Sequence, residues 1–226
     1  MKLSIVIPVY NSETSLRPLV KAIKEHVTIE YEIIFVNDNS TDNSLEVLKD
    51  LEAKVISLNH NIGQQAAIVK GLEKATGDYV LTMDDDLQHN PKDIMRLYEE
   101  IQEGYDLVYG ISNEFQRQYR FLGSKLTALF FRLRYPRYKD KRVSSFRIFT
   151  DKMKERVLAC DYRFIYISAI MFSEDIKIGQ VFVNKEKRPY GNSGYNLKKL
   201  MMLFLKLCYY YGHLPETIKP KRKTDE

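Results

Sequence analysis

The sequence has little cysteine and no long apolar run. Its two cysteines, Cys160 and Cys208, provide neither a disulfide framework nor a zinc-site spacing, so a reducing compartment is the simplest setting. The opening "MKLSIVIPV" is a strand-length apolar run before polar residues, which is not typical of a secretory signal. No stretch reaches the roughly 18 apolar residues that a membrane span needs, because the nearest, 200–211, is short and contains Lys206. We therefore expect a chain that does not cross a membrane.

Two common ligand-binding patterns are also missing. There is no GxGxxG sequence, so Gly63 in "NIGQQ" indicates a turn before a helix rather than a phosphate cradle. The four histidines have no metal-ligand spacing, and we interpret His60 and His89 as surface residues. What remains is an ordinary globular composition, with 44% hydrophobic and 29% charged residues.

The net charge of +5 conceals two halves of opposite sign. Residues 1–114 contain 10 basic and 20 acidic side chains, whereas residues 115–226 contain 25 basic and 10 acidic ones. This asymmetry predicts that the second half meets phosphates, a lipid surface or nucleic acid, with a solvated basic face as the alternative. We exclude nucleic acid, because the acidic first half would repel its backbone and the aromatic residues form no stacking platform.

The first half alternates between strand and helix patterns. Apolar residues recur at helical spacing over 16–27 and 94–101, and Asn90 and Pro91 are typical of a helix start. This alternation predicts an α/β fold with a Rossmann-like, mostly parallel sheet flanked by helices. The predicted strands are 3–9, 31–37, 54–59, 79–83 and 106–111.

Polar residues follow three of these strands, in "PVYNSE", "NDNSTD" and "DDDLQ". The carboxyl ends of parallel strands share one edge, so Asp38, Asp84 and Asp86 should meet there. Side chains alternate along extended chain, so Asp84 and Asp86 should point one way and Asp85 the other, and Gln88 continues the first row if the chain stays extended. Converging carboxylates suit Mg²⁺ or Mn²⁺. The alternative is an acidic turn that caps the next helix.

From about residue 115 the alternation stops and amphipathic stretches begin. Apolar residues over 121–133 share one side of a predicted helix that is otherwise rich in lysine and arginine, and a second such stretch covers 195–214. The basic run "KPKRK" follows at 219–223. These segments predict peripheral attachment to a membrane surface, with the edge of a protein core as the alternative.

Several of these motifs occur in an order that resembles family 2 glycosyltransferases of GT-A fold. They are "SIVIPVYNSE", "FVNDNSTDNS", "NIGQQAAIVKGLEKATGDYVLTMDDDLQHNP" and "SSFRIF". The chain is most similar to the branch that transfers sugars to polyprenyl phosphates, over roughly residues 1–200. The resemblance implies a GT-A domain at 1–194, with a nucleotide-sugar half at 1–114 and an acceptor half at 115–194. An amphipathic helix and basic tail would follow at 195–226.

The resemblance also implies roles for individual residues. The nucleotide-sugar site would contain Pro8, Tyr10, Glu13, Asp38, Asp84 and Asp85, and the metal site Asp84, Asp86 and Gln88. The catalytic residues would be Asp86, Arg117 and Arg147, and the acceptor phosphate would meet Arg117, Arg147, Arg188, Ser193 and Tyr195. The chain departs from the pattern at Gly194, where relatives carry lysine, and it lacks the acid that many relatives place shortly before "FR". Asp140 lies seven residues before Arg147, and this spacing leaves the existence of a protein base in question.

The chemistry favours a lipid phosphate as acceptor. A phosphate monoester is already largely ionised at neutral pH, whereas a sugar hydroxyl needs a base. We therefore expect a metal-dependent, inverting hexosyltransferase that uses a nucleotide sugar and a polyprenyl phosphate at the cytoplasmic face of a membrane. The alternatives are transfer to a sugar hydroxyl in cell-surface polysaccharide synthesis and a non-catalytic nucleotide-sugar or membrane-binding module. A membrane-protein partner and a homodimer both remain open.

Overall fold

The computed structural model describes residues 1–112, 122–160, 163–172, 175–184 and 197–212. The predicted site residues Arg117, Arg188, Ser193 and Tyr195 lie outside these ranges, as does the basic run 219–223.

The described strands form one seven-stranded sheet in the order β3-β2-β1-β4-β6-β5-β7. They are β1 (Leu3–Val9), β2 (Tyr31–Asn37), β3 (Lys54–Ser57), β4 (Tyr79–Thr82), β5 (Leu107–Ser112), β6 (Arg147–Thr150) and β7 (Ile178–Val183). Neighbouring strands are parallel except at β6, which runs antiparallel to both β4 and β5. The predicted α/β fold with a mostly parallel sheet is confirmed, whereas β6 and β7 were not predicted as strands.

Helices cover both faces of this sheet. They are α1 (Leu16–His26), α2 (Ser44–Lys49), α3 (Gln64–Leu72), α4 (Asp93–Gln102), α5 (Leu122–Arg134), α6 (Asp151–Leu158), α7 (Ile167–Met171) and α8 (Leu197–Tyr211). Apolar side chains of α1, α2 and α4 belong to one buried cluster, and those of α3 and α5 to α8 belong to the other. The sheet therefore has a hydrophobic core on each side.

The central strand β1 shows why the opening of the chain is so apolar. Ile5 and Ile7 point into the α1 side of the core, whereas Val6 points into the α3 side. A strand with both faces buried reads as a continuous apolar run rather than an alternating one. The buried polar exception is Ser4, whose hydroxyl donates to Oε1 of Glu32 at 2.7 Å.

Asn90 was predicted at the start of a helix. That helix, α4, begins at Asp93. The side-chain oxygen of Asn90 accepts a hydrogen bond from the backbone N–H of Lys92 at 3.1 Å. Asn90 therefore closes the turn immediately before α4 rather than capping its first residue.

Helices α5 and α8 pack on each other, and Nε of Arg134 donates to the carbonyl of Tyr211 at 2.9 Å. The apolar stripe predicted on α5 is divided by this packing. Phe130 is buried in the core, while Leu133 is 70% exposed. Leu207 of α8 is buried too, so part of this helix belongs to the core. The proposed boundary at residue 194 stays a prediction, because it lies outside the described ranges.

Across the residues that the structure describes, no helix combines the length and apolar character needed to cross a membrane.

Candidate active site

The carboxyl ends of β1, β2 and β4 lie at one edge of the sheet, because these strands are parallel neighbours. The edge receives Tyr10 after β1, Asp38 after β2 and the acidic stretch after β4. Strand β6 starts at the same edge, since Arg147 lies opposite Thr82, the last residue of β4. The structure thus brings the three polar strand ends together, as predicted.

The acidic stretch forms a bend, residues 84–88, which we call the carboxylate turn. Leu87 has φ of 60°, a left-handed conformation that is uncommon for a branched side chain and costs roughly 1 to 3 kcal/mol. Oδ1 of Asp86 accepts a hydrogen bond from the backbone N–H of Gln88 at 3.0 Å, which closes the bend. The chain therefore does not stay extended beyond β4, and the condition under which Gln88 would continue the row of Asp84 and Asp86 is not met. Metal binding by Gln88 stays a prediction.

Asp84 is held by two neutral donors. Its Oδ1 accepts from Nε2 of Gln64 at 2.5 Å, and its Oδ2 accepts from the hydroxyl of Ser145 at 2.7 Å. Both bonds leave the carboxylate charge uncompensated, because neither donor is ionised. Each oxygen also retains capacity for a further partner.

Asp85 points back toward the end of β1. It accepts hydrogen bonds from the backbone N–H of Tyr10 at 3.4 Å and from the Ser12 side chain. Burial raises the pKa of Asp85 to about 7; the nearby charges of Asp84 and Asp86 act in the same direction, against the two hydrogen bonds. No ion pair of the described residues includes Asp84 or Asp85. These two neighbouring carboxylates are thus not neutralised by the described basic side chains.

This donor set fits a divalent cation in an open site. Hard cations prefer carboxylate oxygens, and Mg²⁺ usually takes one or two carboxylates while water and substrate phosphates complete its shell. The parts of the chain described above contain no three His, Cys, Asp or Glu side chains that could together hold an ion. Metal binding by Asp84 and Asp86 stays a prediction, and a cation held by two carboxylates would take its remaining ligands from outside the protein.

Asp38 is buried, and both of its carboxylate oxygens are engaged by backbone groups. They accept from the N–H of Ile62 at 2.7 Å and of Gly63 at 2.9 Å. Gly63 has φ of 87°, which favours glycine and agrees with the predicted turn before α3. In this structure Asp38 fixes the loop that starts α3, and its place in the nucleotide-sugar site stays a prediction.

Three other predicted nucleotide residues lie in β1 or in the loop that follows it. Pro8 is buried within β1 opposite Val36, whereas the Tyr10 side chain is 50% exposed. Oε2 of Glu13 accepts from the backbone N–H of Asn43 at 2.9 Å and so joins the loops that follow β1 and β2. Of the three, Tyr10 has the side chain most open to a ligand.

Arg147 lies beneath the rim rather than on the surface. It is 2% exposed, and its Nη1 donates to the hydroxyl of Ser168 at 3.0 Å. Tyr109 bonds to the same Ser168 at 2.8 Å, and burial raises the pKa of Tyr109. Nε and Nη2 of Arg147 have no hydrogen-bond partner among the described residues. The guanidinium thus lies beneath the sheet edge with two buried donors that make no hydrogen bond to the described residues.

Three residues around the turn were not predicted as site residues. Gln64 and Ser145 contact Asp84, and Ser12 contacts Asp85. Gln64 and Ser145 stood inside motifs that were quoted, "NIGQQ" and "SSFRIF", but only the tertiary structure places them at the turn. The surface interpretation of His89 is wrong, because its ring is 5% exposed and stacks on Phe146 at 5.0 Å.

Comparison with known proteins identifies the family. Residues 4–161 match the family described as glycosyl transferase family 2. The chain belongs to this family. It is 33% identical over 216 residues to undecaprenyl-phosphate 4-deoxy-4-formamido-L-arabinose transferase of Yersinia pestis, covering 91% of this chain and 66% of that protein. The enzyme of the same name from Pseudomonas fluorescens is 34% identical over 214 residues, covering 90% and 63%. This family 2 chain thus spans just under two thirds of the length of these relatives.

Solved structures confirm the GT-A fold. Glucosyl-3-phosphoglycerate synthase from Mycobacterium tuberculosis, in complex with Mn²⁺, UDP and glucosyl-3-phosphoglycerate, matches with a TM-score of 0.72 at 17% identity. The match covers 96% of this chain and 81% of that one. The same enzyme with Mg²⁺ and UDP matches with a TM-score of 0.69 at 16% identity. At these identities the likeness establishes the fold alone.

Proposed function

We propose that this family 2 glycosyltransferase moves a sugar from a nucleotide sugar to a polyprenyl phosphate with the help of Mg²⁺ or Mn²⁺. The observation that carries the proposal is the carboxylate turn at the carboxyl end of β4, where Asp84 is held by two neutral donors and Asp85 lies close to two other carboxylates. The names of the two relatives, which act on undecaprenyl phosphate, support the choice of acceptor. Because the chain spans just under two thirds of their length, the activity of the whole protein is part of the proposal.

On the donor side, Asp84 and Asp86 would hold the cation against the diphosphate. A bound Mg²⁺ or Mn²⁺ supplies Lewis-acid stabilisation of the charge that develops on the departing nucleoside diphosphate. Tyr10 offers an exposed ring beside the turn, and Asp38 keeps the start of α3 in place. Asp86 is the ligand whose loss should affect catalysis most directly.

On the acceptor side, the reaction requires groups that neutralise the charge of the acceptor phosphate more than it requires a base to deprotonate it. A phosphate monoester has its second pKa near 6, so it is largely dianionic at neutral pH and attacks without deprotonation. Arg147 would contribute positive charge from beneath the sheet edge, where it is 2% exposed and two of its buried nitrogen donors have no partner in the described structure. Direct attack on the anomeric carbon would invert it. Arg117, Arg188, Ser193 and Tyr195 remain predicted acceptor-phosphate residues.

Helices α5 and α8 offer a surface through which the chain would reach a lipid acceptor. Six of their large apolar side chains are exposed, namely Leu129, Leu133, Met201, Met202, Leu205 and Tyr209. Arg132 and Lys206 are exposed on the same two helices. Mixed apolar and basic side chains suit the headgroup region of a bilayer, and each basic residue adds about 1 kcal/mol on an anionic surface. We propose peripheral attachment to a cytoplasmic leaflet through this surface.

Flotation with anionic liposomes at low salt tests the attachment. The wild-type chain should float with the vesicles, and Leu205→Glu should reduce the floating fraction. Phe182→Glu is the control, because Phe182 is 57% exposed on edge strand β7 and not on α5 or α8. A wild-type chain that stays in the soluble fraction would rule out attachment by lipid alone and leave a membrane-protein partner as the alternative.

A transfer assay tests the reaction. The chain is incubated with Mn²⁺, a panel of labelled nucleotide sugars, a short polyprenyl phosphate and, separately, an oligosaccharide acceptor. We expect label in the lipid phosphate product and loss of that product in Asp86→Ala. Label in the oligosaccharide alone would favour polysaccharide synthesis, and neither transfer nor donor hydrolysis across the panel would favour a non-catalytic module.

A further inference from the structure

We propose that Gln64 and Ser145 form a clamp that orients the Asp84 carboxylate for cation binding. They are positioning residues, since they contact Asp84 and neither needs to touch the substrate. The inference rests on the proposed function, because it concerns the same cation site. It assigns a task to two residues that no sequence motif singled out.

The geometry of the clamp fixes the carboxylate on both sides. Nε2 of Gln64 lies 2.5 Å from Oδ1, and Oγ of Ser145 lies 2.7 Å from Oδ2. With one donor on each oxygen, the carboxylate cannot rotate about its Cβ–Cγ bond without losing a hydrogen bond. Since both donors are neutral, they orient the group without competing for its charge.

Each arm of the clamp is held by the sheet. Gln64 is the first residue of α3, and the loop before it is fixed by the two backbone bonds to the buried carboxylate of Asp38. The carbonyl of Ser145 accepts from the hydroxyl of Thr82 at 2.8 Å, and Thr82 is the buried last residue of β4. Both donors are therefore positioned by β2 and β4, which also carry the site.

The chain provides a twin next to each arm. Oε1 of Gln65 accepts from the backbone N–H of Ile167 at 3.1 Å, and the hydroxyl of Ser144 accepts from the backbone N–H of Phe146 at 3.2 Å. Neither twin hydrogen-bonds to the carboxylate turn. Identical residue types one position apart thus perform different tasks, which makes the twins matched controls.

The consequence of the clamp is a lower energetic cost of binding a cation. Hydrogen bonds to ligating carboxylates typically contribute 10- to 100-fold to metal affinity. Removal of one arm leaves the number of charged ligands unchanged and frees the carboxylate to rotate. The expected loss is therefore in the affinity for the metal and not in the fold.

The test measures Mn²⁺ binding by the electron paramagnetic resonance of free Mn²⁺, with and without UDP as probe. We expect Gln64→Met and Ser145→Ala each to raise the Mn²⁺ Kd by about 10-fold, and Ser145→Thr, which keeps the hydroxyl, to recover most of the loss. Gln65→Met and Ser144→Ala should retain the wild-type Kd. Thermal unfolding of every variant checks that the fold is intact, and Ser145→Ala decides the matter if Gln64→Met does not fold.

The outcomes separate this inference from the proposed function. Wild-type Mn²⁺ binding that is unchanged in both arm variants would overturn the clamp and leave the cation site in place. Equal losses in the arm variants and their twins would also overturn it, because the effect would then be structural. A wild-type chain that binds no Mn²⁺ would overturn the proposed cation site and the clamp together.

Discussion

The two ends of the sheet use carboxylates in opposite ways. At the amino end, Glu32 pairs with Lys2 at 3.4 Å and with Lys54 at 2.6 Å, and it accepts hydrogen bonds from Thr76. Burial alone would raise the pKa of Glu32, but hydrogen bonds from Lys54, Thr76 and Ser4 lower it to about 2. At the carboxyl end, burial and two neighbouring carboxylates raise the pKa of Asp85 to about 7.

This difference distinguishes an acid that stabilises the fold, Glu32, from acids that are available to bind a ligand, those of the carboxylate turn. An acid surrounded by lysines and hydroxyls is satisfied by the protein and gains nothing from a ligand. Acids crowded against one another destabilise the free protein and gain from any cation that binds them. Strongly perturbed carboxylates in such a setting are typical of functional sites, and the contrast within one sheet supports that reading here.

The largest expected effect comes from removing a carboxylate at the carboxyl end. Asp86→Ala should lower the rate of sugar transfer at least about 100-fold, because charge on the leaving group would lose its stabilisation. The measurement is initial rate at saturating Mn²⁺. Glu32→Gln is the matched control at the other end, and it should retain activity per folded molecule. Comparable activity loss in both variants would contradict the claim that only the acids at the carboxyl end of the sheet act in the reaction.

The next effect is smaller and concerns the stability of Glu32→Gln rather than its activity. The variant should lose about 1 to 2 kcal/mol in the free energy of unfolding at pH 7, the lower part of the range for charged hydrogen bonds because its lysines are partly exposed. Since the folded pKa is lowered, the contribution of Glu32 is present above its ordinary value of 4.5 and is lost as the pH falls toward about 2.

Urea unfolding of wild type and Glu32→Gln from pH 7 to pH 3 measures this dependence. The difference between the two proteins should shrink as the medium becomes acidic. A constant difference across this range would show that the charge of Glu32 is not what stabilises the amino end.

The smallest expected effect is a gain in stability from Asp85→Asn. Neutralising this half-buried acid removes like-charge repulsion, and an asparagine oxygen can still accept from Tyr10 and Ser12. We expect the thermal midpoint at pH 7.5 to rise by about 2 to 4 °C, which corresponds to about 1 kcal/mol for a chain of this size. Scanning calorimetry without added metal measures it. A lower midpoint would mean that the crowded carboxylates are not strained in the free protein.

Part of this architecture could be predicted because buried strands appear in the sequence as apolar runs. The bounds of β1 and β2 match their apolar runs, since both faces of these central strands are buried. Strand β6 could not be predicted from local pattern, because four residues that pair antiparallel with distant strands carry no periodicity of their own. On α5 the helical period placed Phe130 and Leu133 on one side, but only tertiary packing decides that Phe130 is buried and Leu133 exposed.

The site shows the same division. Asp38 and the acids after β4 could be assigned to one edge, because parallel strands deliver their carboxyl ends there. The orientation of these acids could not be predicted. It depends on the bend at Leu87, and leucine gives no indication of a left-handed conformation. The contacts of Gln64 and Ser145 with Asp84 depend on how α3 and β6 meet β4, and only the folded chain contains that information.

The most direct test of the central claim is a crystal soaked with Mn²⁺ and UDP, measured at the manganese absorption edge. The account predicts one anomalous peak at the carboxyl end of β4, about 2 Å from carboxylate oxygens of Asp84 and Asp86, and none beside Glu32. A peak at any other position, or an empty carboxylate turn at saturating Mn²⁺, would contradict it.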